Sequence, residues 1–68
     1  MEFVDQGDAR IVLALTPEEF GLLAGCVNEA IEAVEDWEFS TRLGAEKDDA
    51  RRMRAELREL ASRLRPAD

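Results

Sequence analysis

Leu15-Thr16-Pro17-Glu18-Glu19-Phe20 is the stretch that divides this chain into its parts. Thr16 can cap a helix with its hydroxyl, and Pro17 suits the first helical position, where a backbone N–H would have no partner. Glu19 can reach back three residues to the cap while its charge favours the positive helix end. A helix therefore begins at Pro17. Beyond it, Phe20, Leu23, Val27, Ile31 and Val34 recur at spacings of three and four, which places them on one helix face with Ala24 and Ala30 between them. Gly21 and Gly25 lie inside this helix, each costing about 1 kcal/mol relative to alanine. They are either exposed and tolerated, or they mark a groove where another element comes close.

Upstream of Thr16 the pattern changes. Ala9-Arg10-Ile11-Val12-Leu13-Ala14-Leu15 is rich in β-branched and aliphatic residues, and the polar run Asp5-Gln6-Gly7-Asp8 separates it from Phe3-Val4. This predicts a short strand or small hairpin. A two-stranded piece is marginal alone, so it must lie on helices or pair with a second copy. Downstream, Asp36 to Leu43 reads as a short second helix, or as a continuation of the first after a kink, ended by Gly44 in a left-handed cap. A third helix runs from Glu46 or Lys47 to between Arg63 and Arg65, stopping before Pro66. The predicted fold class is α+β and mostly helical: a short N-terminal strand or hairpin followed by two main helices with a short helix between. A single small domain spans 1–68, with about 1–8 and 66–68 expected to be flexible.

Length makes self-association attractive. A chain of 68 residues buries a smaller fraction of its surface than a larger domain does. Of its apolar residues ten are alanine, leaving twenty-one of Val, Ile, Leu, Met, Phe, Trp or Cys. Neither a disulfide framework nor a zinc spacing is present to staple it, so oligomerisation is the natural remedy. Ala50, Met53, Leu57, Leu60 and Leu64 keep spacings of three and four and form a helical seam, the expected self-association surface of a homodimer. Cys26 reads as a small buried hydrophobe, since the chain has no histidine to activate a thiol. No apolar run is long enough to span a bilayer, so no membrane contact is expected and the location is expected to be cytoplasmic.

Charge is unevenly spread. The net charge is −7; residues 1–45 hold ten acids against Arg10 and Arg42, whereas residues 46–68 hold six acids against seven bases. Between Asn28 and Phe39 stand Glu29, Glu32, Glu35, Asp36 and Glu38, no cation, and the only tryptophan, Trp37. These six residues are the candidate partner-binding set, because complementary charge speeds encounter and an indole supplies burial area. Their mutual spacing is mildly unfavourable in a free helix, and acids of this cluster pairing with Arg51, Arg54 or Arg58 is the ordinary alternative. For Trp37 and Phe39 the favoured reading puts both in the core; the sharper one keeps Phe39 inside and leaves Trp37 among Glu35, Asp36 and Glu38.

The third helix supports a rival. Lys47, Arg51, Arg54 and Arg58 lie close to one stripe, and Thr41 to Ala45 could be the turn of a helix-turn-helix. Asp48 and Asp49 at its start, and the acidic body behind it, oppose nucleic-acid binding. Pairs four apart, Asp48 with Arg52, Arg52 with Glu56 and Glu59 with Arg63, suggest a solvated surface instead. No phosphate loop, nucleophile elbow or metal-ligand pattern is found; an enzyme, a metal and a cofactor are not expected.

The run from Leu15 to Glu19, then Asn28-Glu29, then Trp37-Glu38-Phe39 and Thr41-Arg42-Leu43-Gly44 before a charged helix resembles a group of small, uncharacterised bacterial proteins over about residues 11–64. Asn28, Glu29, Phe39, Thr41, Arg42 and Gly44 are the matching positions. A structural explanation is at hand, with Arg42 bound to Glu29 or Glu38 and Gly44 as a helix stop. In size and charge the chain is also similar to toxin-neutralising immunity proteins. The resemblance implies a non-enzymatic acidic module of immunity or inhibitor type that engages a basic protein surface. A helix-turn-helix-like regulator using the third helix and a purely structural oligomer subunit are the alternatives.

Overall fold

The computed structural model describes residues 1–64. Strand β1 (Glu2–Gln6) pairs antiparallel with β2 (Ile11–Ala14), matching Glu2 with Ala14, Phe3 with Leu13, Asp5 with Val12 and Gln6 with Ile11. A register shift between Phe3 and Asp5 leaves Val4 without an opposite residue. Opposed residues share a face, so Phe3, Gln6, Ile11 and Leu13 form one side of the hairpin and Glu2, Asp5, Val12 and Ala14 the other. The N–H of Gly7 donates to the Arg10 carbonyl at 2.9 Å and closes the turn. The stretch 1–8, expected to be loose, thus contains β1.

Helix α1 (Pro17–Ala33) starts where its capping signal puts it: Thr16 is extended, its Oγ1 accepts from the Glu19 N–H at 3.1 Å, and Glu19 Oε1 accepts from the Thr16 N–H at 2.9 Å. Both Val34 (ψ 129°) and Glu35 (ψ 148°) are extended, so α2 (Asp36–Leu43) is a separate helix after a break, not a kinked continuation. Gly44 ends it at φ 76°, a left-handed conformation that costs glycine nothing. Helix α3 (Lys47–Arg63) follows, and Leu64 leaves the helix with its N–H donating to the Ala61 carbonyl. Pro66 and the expected flexibility of 66–68 lie outside the described residues.

Helices α1 and α3 pack antiparallel: Val34 meets Lys47, Asn28 meets Arg54, and Ala24 shares a cleft with Leu57 and Ala61. Helix α2 packs on α3. Among the described residues only Ile31 and Phe39 are buried hydrophobic side chains, at 6% and 2% exposure, and of the two Phe39 is fully buried. Phe20, Ala24, Val27, Ala30 and Val34 are half-buried as the helical spacing predicts, but Leu23 is exposed. A Cβ built on Gly21 or Gly25 meets nothing within 4 Å, so within one chain these glycines are tolerated exposed positions. Cys26 is exposed, contrary to expectation. It lies one residue, about 100° of helix rotation, from Val27, and that step carries it to the rim of the apolar face.

The hairpin does not lie on the helices. Its strands touch one another, α1 touches α3, and α2 touches α3, with no packing between strand and helix among the described residues. The radius of gyration, 13.6 Å, exceeds the roughly 11 Å of a compact chain of this length.

Candidate protein-binding corner

The break between α1 and α2 builds a corner from Glu35, Asp36, Trp37 and Glu38. Residues two apart on a helix lie about 200° apart, so seating Phe39 in the core turns Trp37 outward. Trp37 is 79% exposed; the reading that put both aromatics in the core is thereby corrected.

Lys47 organises this corner. Its side chain, only 10% exposed, donates from Nζ to the Val34 carbonyl and to Asp36 Oδ1, the latter at 2.6 Å. The ammonium also sits 5.5 Å from the centroid of the Phe39 ring, close enough for a cation–π contact. One cation therefore ties the end of α1, the start of α2 and the first residue of α3. The hydrogen bond from Lys47, reinforced by its charge, lowers the pKa of the Asp36 carboxyl. Sequence reasoning assigned Lys47 to a DNA-facing stripe and missed this role. A signal was available, since a lysine at the first helical position opposes the helix dipole and needs a carboxylate or carbonyl elsewhere.

The remaining acids do not form one bare patch. Glu32 Oε1 pairs with Arg54 Nη1 at 3.3 Å, and the same nitrogen donates to Asn28 Oδ1 at 3.0 Å. Glu38 pairs with Arg42 at 3.2 Å, so Arg42 serves Glu38 and not Glu29. Glu29 and Glu35 are exposed and make no ion pair among the described residues. Glu32 and Asp36 are both drawn towards α3, by Arg54 and Lys47, whereas Glu35 and Glu38, near Trp37 in sequence, pair with no residue of α3 among the described residues.

The stripe on α3 is similarly occupied. Besides Lys47 and Arg54, Arg51 pairs with Asp48 at 2.7 Å; Arg58 has no ion pair among the described residues and borders the α1–α3 cleft. Of the pairs predicted four residues apart only Glu59–Arg63 forms, at 2.7 Å. Arg52 turns to Asp49, a neighbour three residues away that is equally reachable on a helix. In the self-association seam Ala50 and Leu57 are half-buried, while Met53, Leu60 and Leu64 are exposed. Ala50 and Leu57 border clefts shared with α1, so the seam is partly engaged within the chain.

Among the described residues, no group of three or more His, Cys, Asp or Glu could hold a metal ion, and no helix is long and apolar enough to cross a membrane. No family model matches the chain, and neither does any curated protein or solved structure.

Proposed function

We propose that this chain is a non-enzymatic protein-binding module in which Trp37, ringed by Glu35, Asp36 and Glu38, receives a basic surface of another protein, the role of an immunity or inhibitor protein. The observation that carries the reading is the exposed indole of Trp37 on a short helix anchored by Phe39 and Lys47. A tryptophan held on a rigid element supplies a large contact area at little entropic cost. The acids around it speed encounter with a cationic partner. Glu38 already holds Arg42, a mostly exposed cation; such a pair is weak, so a partner's arginine can compete for Glu38, while Asp36, tied to the mostly buried Lys47, keeps its second oxygen for a partner. The exposed free thiol of Cys26 suits a reducing, cytoplasmic setting. The α3 stripe supports the DNA-binding alternative less well, because Lys47, Arg51 and Arg54 are held by carboxylates of the same chain.

The test is affinity capture from lysate on immobilised protein, with elution by a salt gradient. A basic polypeptide should be retained by the native chain, released by salt, and lost with Trp37→Ala and with the Glu35→Gln, Glu38→Gln double variant, while the thermal midpoints stay close to native. Equal retention by Trp37→Ala would overturn the proposal.

A further inference from the structure

Two apolar surfaces of this chain lack a cover, and neither covers the other. The first is the hairpin face of Phe3, Ile11 and Leu13, exposed at 61%, 65% and 46%. The second is a cleft of about 280 Å³ where Val27 and Ala30 of α1 meet Phe39 and Leu43 of α2 and Ala50 and Met53 of α3. Only Leu15 and Thr16 join β2 to α1, and the amino group of Met1 pairs with Glu19 in the first turn of that helix. The hairpin is thus tied to one end of α1, while the cleft lies around Val27, roughly 15 Å further along at 1.5 Å per residue.

The exposed area indicates how large the missing cover is. The chain exposes 5848 Å², whereas a compact monomer of 7.7 kDa exposes about 4,300 Å². The excess, roughly 1,500 Å² per chain, corresponds to about 3,000 Å² for a pair, within the range of obligate homodimers. With Ile31 and Phe39 as the buried hydrophobic side chains among the described residues, one chain has a core that leaves it only marginally stable. A cover at hand wherever the chain is made adds most to that stability, which favours a second copy. Each copy carries both a face and a cleft, so one two-fold rotation satisfies both surfaces at once. Asp49 stands in the lining of the cleft, so the surface laid on it should carry no acid, and the hairpin meets this need: Glu2 and Asp5 stand on its other side, and the Phe3, Gln6, Ile11, Leu13 face carries no charge.

We propose that two copies exchange hairpins, the Phe3–Ile11–Leu13 face of each lying over the α1–α2–α3 cleft of the other. The sheet-on-helix layering usual for an α+β domain is then completed between chains, not within one. This goes beyond the expected α3 seam and is independent of the Trp37 reading.

Sedimentation of the native chain at tens of micromolar should show a dimer. Leu13→Cys, under mild oxidation, should form an intermolecular disulfide with Cys26 at the cleft, identified as a cross-linked peptide by mass spectrometry and abolished by adding Cys26→Ser. In the native protein, maleimide modification of Cys26 should slow several-fold as concentration rises through the dissociation constant, a readout that needs no substitution. A folded monomer throughout this range would overturn the proposal and leave a different protein as the cover. So would a dimer in which Cys26 reacts at the monomer rate, or one that cross-links through Leu60→Cys and never between positions 13 and 26.

Discussion

The two ends of this molecule obey the same local rules and reach different outcomes. At the hairpin, strand residues pair in register and a glycine turn closes, yet its apolar face of Phe3, Ile11 and Leu13 stays open. At the α1–α2–α3 junction, Phe39 and Ile31 are buried and Lys47 ties three elements together. Secondary structure needs only neighbours in sequence, whereas a fixed place needs partners from elsewhere in the chain. The contrast places the chain's own stability at the junction and leaves the hairpin to whatever covers it.

Phe39→Ala attacks the stronger end and should have the largest effect. Emptying a fully buried phenylalanine site costs about 3–5 kcal/mol, comparable to the whole stability of a domain this small, so circular dichroism should show a largely unfolded chain. Phe3→Ala is the matching change at the other end. For an isolated chain it should shift the urea midpoint only slightly, because that ring is mostly exposed. A large shift that grows with protein concentration would instead show that the hairpin has a cover, and the contrast between the ends would vanish on assembly.

Lys47→Met tests whether one cation defines the junction. Losing the charge-assisted hydrogen bonds of a mostly buried ammonium should cost roughly 1.5–3 kcal/mol, read as a lower urea midpoint. A midpoint equal to native would mean that apolar packing alone holds α2 in place. Thr16→Ala acts where hairpin and helix join; loss of the capping hydroxyl should cost roughly 0.5–2 kcal/mol, and an unchanged midpoint would show that Glu19 and Pro17 suffice.

The smallest effect concerns the acids. Like-charge spacing alone predicts that Glu32→Gln with Asp36→Asn leaves the chain intact or slightly more stable. The ion pairs to Arg54 and Lys47 reverse that sign, so a slight drop in thermal midpoint is expected, and a rise would show that repulsion dominates. Acid provides an independent check. The pKa of Asp36 is lowered chiefly by the Lys47 hydrogen bond, and that of Glu19 chiefly by the hydrogen bond from the chain's amino group. A carboxyl whose folded pKa is depressed contributes stability above its unfolded value, near pH 4, and loses it as pH falls through the folded value. The thermal midpoint should therefore fall below about pH 4, and fall less in Asp36→Asn. An equal fall in both proteins would remove Asp36 from the account.

Much of the candidate corner was legible only as a list of residues. Glu35, Asp36, Trp37 and Glu38 could be named because five carboxylates around one indole are conspicuous. Which acids keep their charge available could not, because Arg54 and Lys47 reach them from α3, across 22 and 11 residues of chain. The exposure of Trp37 was partly legible, since residues two apart on a helix cannot both face the core. The choice of Phe39 for burial depended on where α3 lies.

By itself the sequence determined several element boundaries: Thr16, Pro17 and Glu19 start α1, Gly44 ends α2 at φ 76°, and the polar run at 5–8 marks a hairpin, although Asp5 and Gln6 belong to β1 and the turn runs from Gly7 to Arg10. Each of these is a contact or a backbone preference within a few residues, so local composition is enough to specify it. Only the tertiary structure decided that the hairpin stands away from the helices, that Cys26 is exposed, and that Lys47 and Arg54 serve α1 and α2. Those outcomes depend on the relative placement of elements joined by short extended links, where helical periodicity identifies an apolar face but carries no information about which surface will meet it.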